Sequence, residues 1–166
     1  MNLINTFFIA VGLAMDAFSV AVSAGICIPK PTAGHYLRLS AAFGLFQFGM
    51  PLAGYFLGQK VEPFIRNFDH WVAMGILMAI GAKMIHEYFE RVRTDCDYVD
   101  PTCGRRLIFL SVATSIDALA VGVSYGVLGK AILVPSIIIG IVAAGFTAAG
   151  IVIGRKAGVL IGKKAE

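Results

Sequence analysis

Uncharged apolar runs separated by short polar stretches dominate the chain, and runs of about 20 residues predict membrane-spanning helices. Five such spans are expected, at 3–26, 37–57, 71–89, 107–128 and 132–153. The first runs into Pro29-Lys30-Pro31, where proline cannot continue helical hydrogen bonding and lysine marks a water interface. The second contains Pro51, which is tolerated where neighbouring helices satisfy the freed carbonyl. His70-Trp71 opens the third as an interfacial anchor, and the longest polar stretch, Glu90 to Arg106, follows it. The expected fold is all-α, a polytopic membrane protein with little chain left for a soluble domain.

Composition agrees. Over 166 residues the chain is 58% hydrophobic and 14% charged, with a mean hydropathy of +0.81, more apolar than a soluble domain of this size can hide. The net charge of +4 does not describe a nucleic-acid surface, because Lys and Arg fall between the spans, where they set orientation. With Lys83 set aside as lying within a span, ten basic residues fall on one side and three (Lys60, Arg66 and Lys130) on the other. The N-terminus is therefore expected outside, and the 90–106 loop and the tail after Ile153 in the cytoplasm. No basic segment precedes the first run, which is long enough to span, so it reads as a retained helix that keeps Met1. Cys27, Cys96 and Cys103 offer neither a disulfide framework nor zinc-type pairing.

Part of the pattern repeats. Residues 10–26 placed over 111–127 pair Val11 with Val112, Asp16 with Asp117, Ala17 with Ala118, Val20 with Val121, Ser23 with Ser124 and Gly25 with Gly126. At a slightly shorter offset, 44–60 placed over 140–156 pairs Gly44 with Gly140, Gly49 with Gly145, Gly54 with Gly150 and Gly58 with Gly154. These matches predict two three-helix repeats, 1–95 and 105–166, the second C-terminally incomplete. An odd helix number per repeat sends the second copy into the membrane from the opposite side, an inverted arrangement with its substrate site near the midplane. By the same offset the counterpart of Trp71 falls just past Glu166, so a sixth helix is expected and missing; a homodimer partner is one way to fill its place.

The candidate chemistry lies in the paired blocks. Asp16 and Asp117 are carboxylates within apolar runs, a costly placement that calls for a protein interior or a watery cavity. At 100° per residue, Asn5, Gly12, Asp16, Ser19 and Ser23 form one polar stripe, and Thr114, Asp117 and Ser124 form its match. If the stripes converge, they make a cage of hard oxygens suited to a divalent cation such as Mn²⁺ or Mg²⁺, with no Cys or His to favour softer ions. Two such carboxylates repel when both are charged, so exchange of metal for protons is physically natural. The plainer reading makes each aspartate a protonated staple between helices. Gln47 is either a further oxygen ligand or an interhelical hydrogen bond. Glu87 either pairs locally with Lys83 or lines the cytoplasmic mouth of a pathway. Asp95, Cys96, Asp97, Asp100 and Cys103 read as a solvated acidic loop rather than a metal site, and Gly150, Gly154, Gly158 and Gly162 as a close-packing edge.

The stretches Ala14-Met15-Asp16-Ala17-Phe18-Ser19-Val20, Phe43-Gly44-Leu45-Phe46-Gln47 with Met50-Pro51, Gly81 to Glu87, and Thr114-Ser115-Ile116-Asp117-Ala118-Leu119-Ala120-Val121-Gly122 closely resemble the bacterial MntP family of small inner-membrane manganese exporters, more distantly related to the lysine-exporter superfamily. The resemblance covers essentially the whole chain. It implies a six-helix fold, Mn²⁺ efflux without a resident cofactor, and functional roles for Asp16 and Asp117; the preference for manganese over magnesium comes from the resemblance alone. Two other classes stand beside it. One is a truncated membrane scaffold that transports nothing. The other is an intramembrane aspartyl protease, which needs two facing aspartates but resembles a Gly-x-Gly-Asp pattern, where this chain has Ala-Met-Asp and Ser-Ile-Asp.

Overall fold

The computed structural model describes residues 3–28, 32–65 and 104–162. The expected third span, with Lys83 and Glu87, and the acidic loop lie outside the described residues. All regular structure among the described residues is helical: α1 (Leu3–Cys27), α2 (Ala33–Ile65), α3 (Gly104–Ala113), α4 (Ile116–Val127) and α5 (Leu133–Gly162). Three stretches are long and apolar enough to cross a membrane, Ile4–Cys27, Ala33–Lys60 and Leu133–Gly158; α3 and α4 qualify together as a fourth, bent by 44°.

That bend corrects the expectation of one continuous helix over 107–128. Its cause is local. Ser111, Thr114 and Ser115 turn their hydroxyls back onto the chain, Ser111 Oγ to Leu107 O (2.8 Å), Thr114 Oγ1 to Leu110 O (2.9 Å) and Ser115 Oγ to Ser111 O. Such back-bonding competes with the helical ladder and bends it. The Ser115 N–H accordingly reaches Val112 O (3.1 Å), a tighter turn than the α-helix makes. In α1 the positions equivalent by the repeat offset are Ala10, Leu13 and Ala14, which carry no hydroxyl, and α1 runs through them unbroken. At its other end α4 is closed by Gly129 in the left-handed region (φ 62°), with Gly129 N to Gly126 O (3.2 Å) and Lys130 N to Tyr125 O (3.1 Å) forming a Schellman cap.

Small residues line much of the interior, around a few large ones such as Phe43, Leu39 and Ile151, and many large residues face outward. Ala10, Ala14, Ala17, Ala21 and Ala24 make the buried face of α1, while Phe7, Phe8, Leu45, Phe56, Phe109 and Ile141 are exposed. In water that would be an unstable surface; in lipid, where helices associate by close packing rather than by hiding apolar area, it is the expected one. The principal contacts join α1 to α5, α2 to α4 and α2 to α5.

Glycines at these seams allow backbone-to-backbone approach, and their contacts come in matched sets. The missing side chain of Gly54 leaves room for Leu119 O and that of Gly58 for Val123 O; at the equivalent positions Gly150 faces Phe18 O and Gly154 faces Val22 O. Gly126 lies against Tyr55 O and Gln59 N, and Gly25 against Ile151 O and Arg155 N. These three α2–α4 contacts therefore map onto α5–α1 contacts when α1 is offset by 101 residues and α2 by 96. Where α2 crosses α5, Gly44 meets Gly140 O and Ala144, while Gly140 meets Gly44 O and Phe48. The Gly44–Gly140 approach is its own equivalent at the offset of 96, and Gly44–Ala144 maps onto Gly140–Phe48.

Candidate functional site

The α2–α5 crossing sets the position of Gln47, one turn beyond Gly44. Gln47 is fully buried, and its Nε2 donates to Thr114 O (2.8 Å) and to Leu13 O (3.3 Å). Both partners are carbonyl oxygens, so the amide can only present its N–H groups to them. Leu13 and Thr114 are equivalent by the offset of 101, and each lies three residues before an aspartate. One side chain thus ties together the segments that carry Asp16 and Asp117. The expected interhelical hydrogen bond of Gln47 is present twice.

Gln47 Oε1 is left over. It is buried and has no hydrogen-bond partner among the described residues, an omission that costs about 1–3 kcal/mol for an ordinary buried acceptor. The main-chain carbonyl of Gln47 loses its ladder partner as well, because residue 51, four positions on, is proline and has no N–H.

The two aspartates stand in different local settings. Asp117 opens α4, partly buried, and its Oδ1 accepts the Ala118 N–H (2.8 Å), a bond that a continuous helix would have given to Thr114 O. A carboxylate at a helix start also meets the positive end of the helix dipole. Asp16 lies mid-helix in α1 and is exposed among the described residues.

Asn5, Gly12, Ser19 and Ser23 share the exposed stripe with Asp16, on the side of α1 away from its packed alanine face, and Ser124 is exposed on α4. Thr114 is buried beside Gln47 instead. The hydroxyls donate locally, Ser19 to Met15 O (2.8 Å) and Ser124 to Ala120 O (3.0 Å), which leaves their oxygen lone pairs available as acceptors. Among the described residues no three His, Cys, Asp or Glu side chains cluster to hold a metal ion. The candidate groups among the described residues are therefore two carboxylates and several neutral oxygens.

Sequence reasoning found both aspartates and Gln47 but missed the two carbonyls that Gln47 holds. The available signal was the contrast of Ser111, Thr114 and Ser115 with Ala10, Leu13 and Ala14, which marks one helix for breaking and leaves the other whole.

The fold and these residues define a polytopic helical membrane protein that carries two carboxylates within its spans. The sequence profile of the family described as "Putative manganese efflux pump" (Mntp) matches residues 30–166. Proteins named "Putative manganese efflux pump MntP" are similar over most of their length: that of Syntrophotalea carbinolica is 47% identical over all of this chain and 88% of its own, that of Oleidesulfovibrio alaskensis 51% identical over 89% of this chain and 77% of its own, and that of Citrifermentans bemidjiense 45% identical over all of this chain and 88% of its own. The chain belongs to the MntP family. No solved structure matches it.

Proposed function

We propose that this protein is a secondary transporter that exports Mn²⁺ from the cytoplasm across the bacterial inner membrane, in exchange for protons, through a midplane site built on Asp16 and Asp117. The observation that carries the reading is that one buried amide, Gln47, joins two apolar segments that each carry an aspartate three residues further on. Carboxylates are rarely kept at membrane depth without an ion or proton to handle. The names of the relatives supply the metal and the direction.

The coordination chemistry suits a passing ion. Two carboxylates satisfy the charge of a hard divalent cation, and the remaining positions would fall to neutral oxygens, for which Asn5, Ser19, Ser23, Thr114, Ser124 and Gln47 Oε1 are the candidates and Glu87 a pathway residue. A site with few charges binds well enough to load and weakly enough to release. When the cation leaves, protons relieve the repulsion between the carboxylates, which is the basis for exchange.

Two inverted three-helix repeats, spanning 1–95 and 105–166 with the N-terminus outside, are the architecture we assign. The matched glycine contacts and the single amide joining equivalent carbonyls support it. The test is Mn²⁺ flux in vesicles loaded with the purified chain. Metal-dependent flux that Asp16→Ala and Asp117→Ala each abolish is the expected result; a chain that folds and moves no metal would end the transport reading.

A further inference from the structure

Gln47 does more than join two helices. Its Nε2 reaches Leu13 O and Thr114 O at the same time, and these carbonyls sit at equivalent positions, each three residues before a site carboxylate. The amide itself has little freedom. It is fully buried, and its helix is fixed on one side by the reciprocal Gly44–Gly140 contact and one turn further on by Gly122 lying against the backbone of Pro51. The Leu13 carbonyl points along the α1 axis toward the turn that bears Asp16. Thr114 O belongs to the break from which α4 starts, and Asp117 is the second residue of α4. A rigid group therefore grips both aspartate-bearing segments within one turn of their carboxylates.

We propose that Gln47 is a positioning residue that sets the spacing of the Asp16 and Asp117 carboxylates and so determines which divalent cation the pair prefers. This inference rests on the export reading and deepens it. Divalent ions of like charge differ in the oxygen distances they demand, near 2.0–2.1 Å and strictly octahedral for Mg²⁺ against 2.3–2.6 Å and adaptable for Ca²⁺. A pair of carboxylates discriminates among such ions only if its spacing is held. The two N–H bonds of Gln47 supply that hold, one to each segment.

The role is distinct from that of a ligand, and Gln47→Glu separates the two. Glutamate keeps both the side-chain length and an oxygen ligand, and adds negative charge. Ionised, it has no hydrogen to give; protonated, it has one, so it can never serve both carbonyls. Affinities of the full-length protein in detergent for Mn²⁺, Mg²⁺ and Ca²⁺ would be measured directly, with the electron paramagnetic resonance line shape of bound Mn²⁺ as a report on site symmetry. If Gln47 positions the carboxylates, Gln47→Glu weakens Mn²⁺ binding by roughly 10–100-fold, narrows the preference for Mn²⁺ over Mg²⁺ and Ca²⁺, and broadens the Mn²⁺ spectrum, as loss of groups that orient metal ligands does elsewhere. Gln47→Met, which keeps length and drops all polar atoms, gives the same pattern and serves where the buried glutamate prevents folding. Unchanged or tighter Mn²⁺ binding in Gln47→Glu, or an unchanged ion preference in Gln47→Met with only a lowered melting temperature, would overturn the proposal. Asp16→Asn and Asp117→Asn in the same assay test the underlying reading separately: if they bind Mn²⁺ like the parent, the site is elsewhere, whatever Gln47 does.

Discussion

Gln47 Nε2 donates to the Thr114 carbonyl over 2.8 Å, and the bond fastens α2 to the break between α3 and α4. Thr114 O has left the helical ladder, since the Ala118 N–H goes to Asp117, and it lies in a buried residue. Removing the amide strands that acceptor. Gln47→Met is expected to lower the stability of the solubilised protein by about 1–2 kcal/mol, above the average for interhelical bonds in membranes because the carbonyl has no ladder partner to fall back on. Equilibrium unfolding in mixed detergent measures it, and a change near zero would mean that Thr114 O finds another donor.

The Asp117 carboxylate combines two functions that substitution can part. Its Oδ1 accepts the Ala118 N–H at the start of α4, and its negative charge is what the proposed site offers a cation. Asparagine keeps an oxygen for the N–H and loses the charge; alanine loses both. Asp117→Asn should therefore match the parent in thermal stability, whereas Asp117→Ala should lose about 1 kcal/mol, the usual cost of removing a helix-start acceptor. Both should abolish manganese tolerance in an exporter-deficient host. Full tolerance in Asp117→Asn at normal expression would remove the charge from the mechanism.

The glycines divide into those that touch a neighbour and those that do not. A side chain at Gly58 or Gly154 would meet the main chain of Val123 or Val22, and backbone cannot move aside as a flexible side chain can. Gly58→Ala and Gly154→Ala should each destabilise by about 1–3 kcal/mol through overpacking, and by similar amounts, because the two contacts are equivalent. Gly49 and Gly145, equivalent to each other, have nothing within 4 Å of an added methyl. Gly49→Ala and Gly145→Ala should be neutral or stabilising by up to about 1 kcal/mol, the helix propensity of alanine over glycine. Melting temperatures of the four variants decide the matter; equal losses in all four would show that the seams are not where the contacts put them.

Among the described residues, hydropathy located the helices but not their ends or their breaks. The expected span at 37–57 became α2, Ala33–Ile65, and that at 132–153 became α5, Leu133–Gly162. The excess carries His35, Lys60, Arg155 and Lys156, polar residues that stop a membrane run without stopping helical hydrogen bonding. The break at Thr114–Ser115 escaped notice because neither residue forbids a helix; three hydroxyls bonding backward, one distant glutamine and one carboxylate act together to open it. The aspartate pair was legible because a carboxylate in an apolar run stands out in sequence. The groups that Gln47 holds are main-chain carbonyls, which every residue has, so nothing in the sequence singles out Leu13 and Thr114.

Protons and Mn²⁺ compete for the same oxygens if the aspartate pair is the metal site, and the competition has a definite sign. A carboxylate must be ionised to bind the cation, so metal binding releases whatever protons the pair holds, and lowering the pH weakens binding. Replacing Asp117 with asparagine removes one of the two ionisable groups. The parent protein should therefore show Mn²⁺ affinity that falls steeply with acidification, and Asp117→Asn should show weaker binding with a shallower dependence. Calorimetry in buffers of different ionisation enthalpy counts the protons released per Mn²⁺ bound, and the count should drop in the variant. In sealed vesicles the same linkage predicts that a gradient of protons, acidic on the side to which Mn²⁺ is delivered, drives metal across without other energy input. Metal affinity and proton release that are identical in the parent and in Asp117→Asn would place the coupling on groups other than this pair.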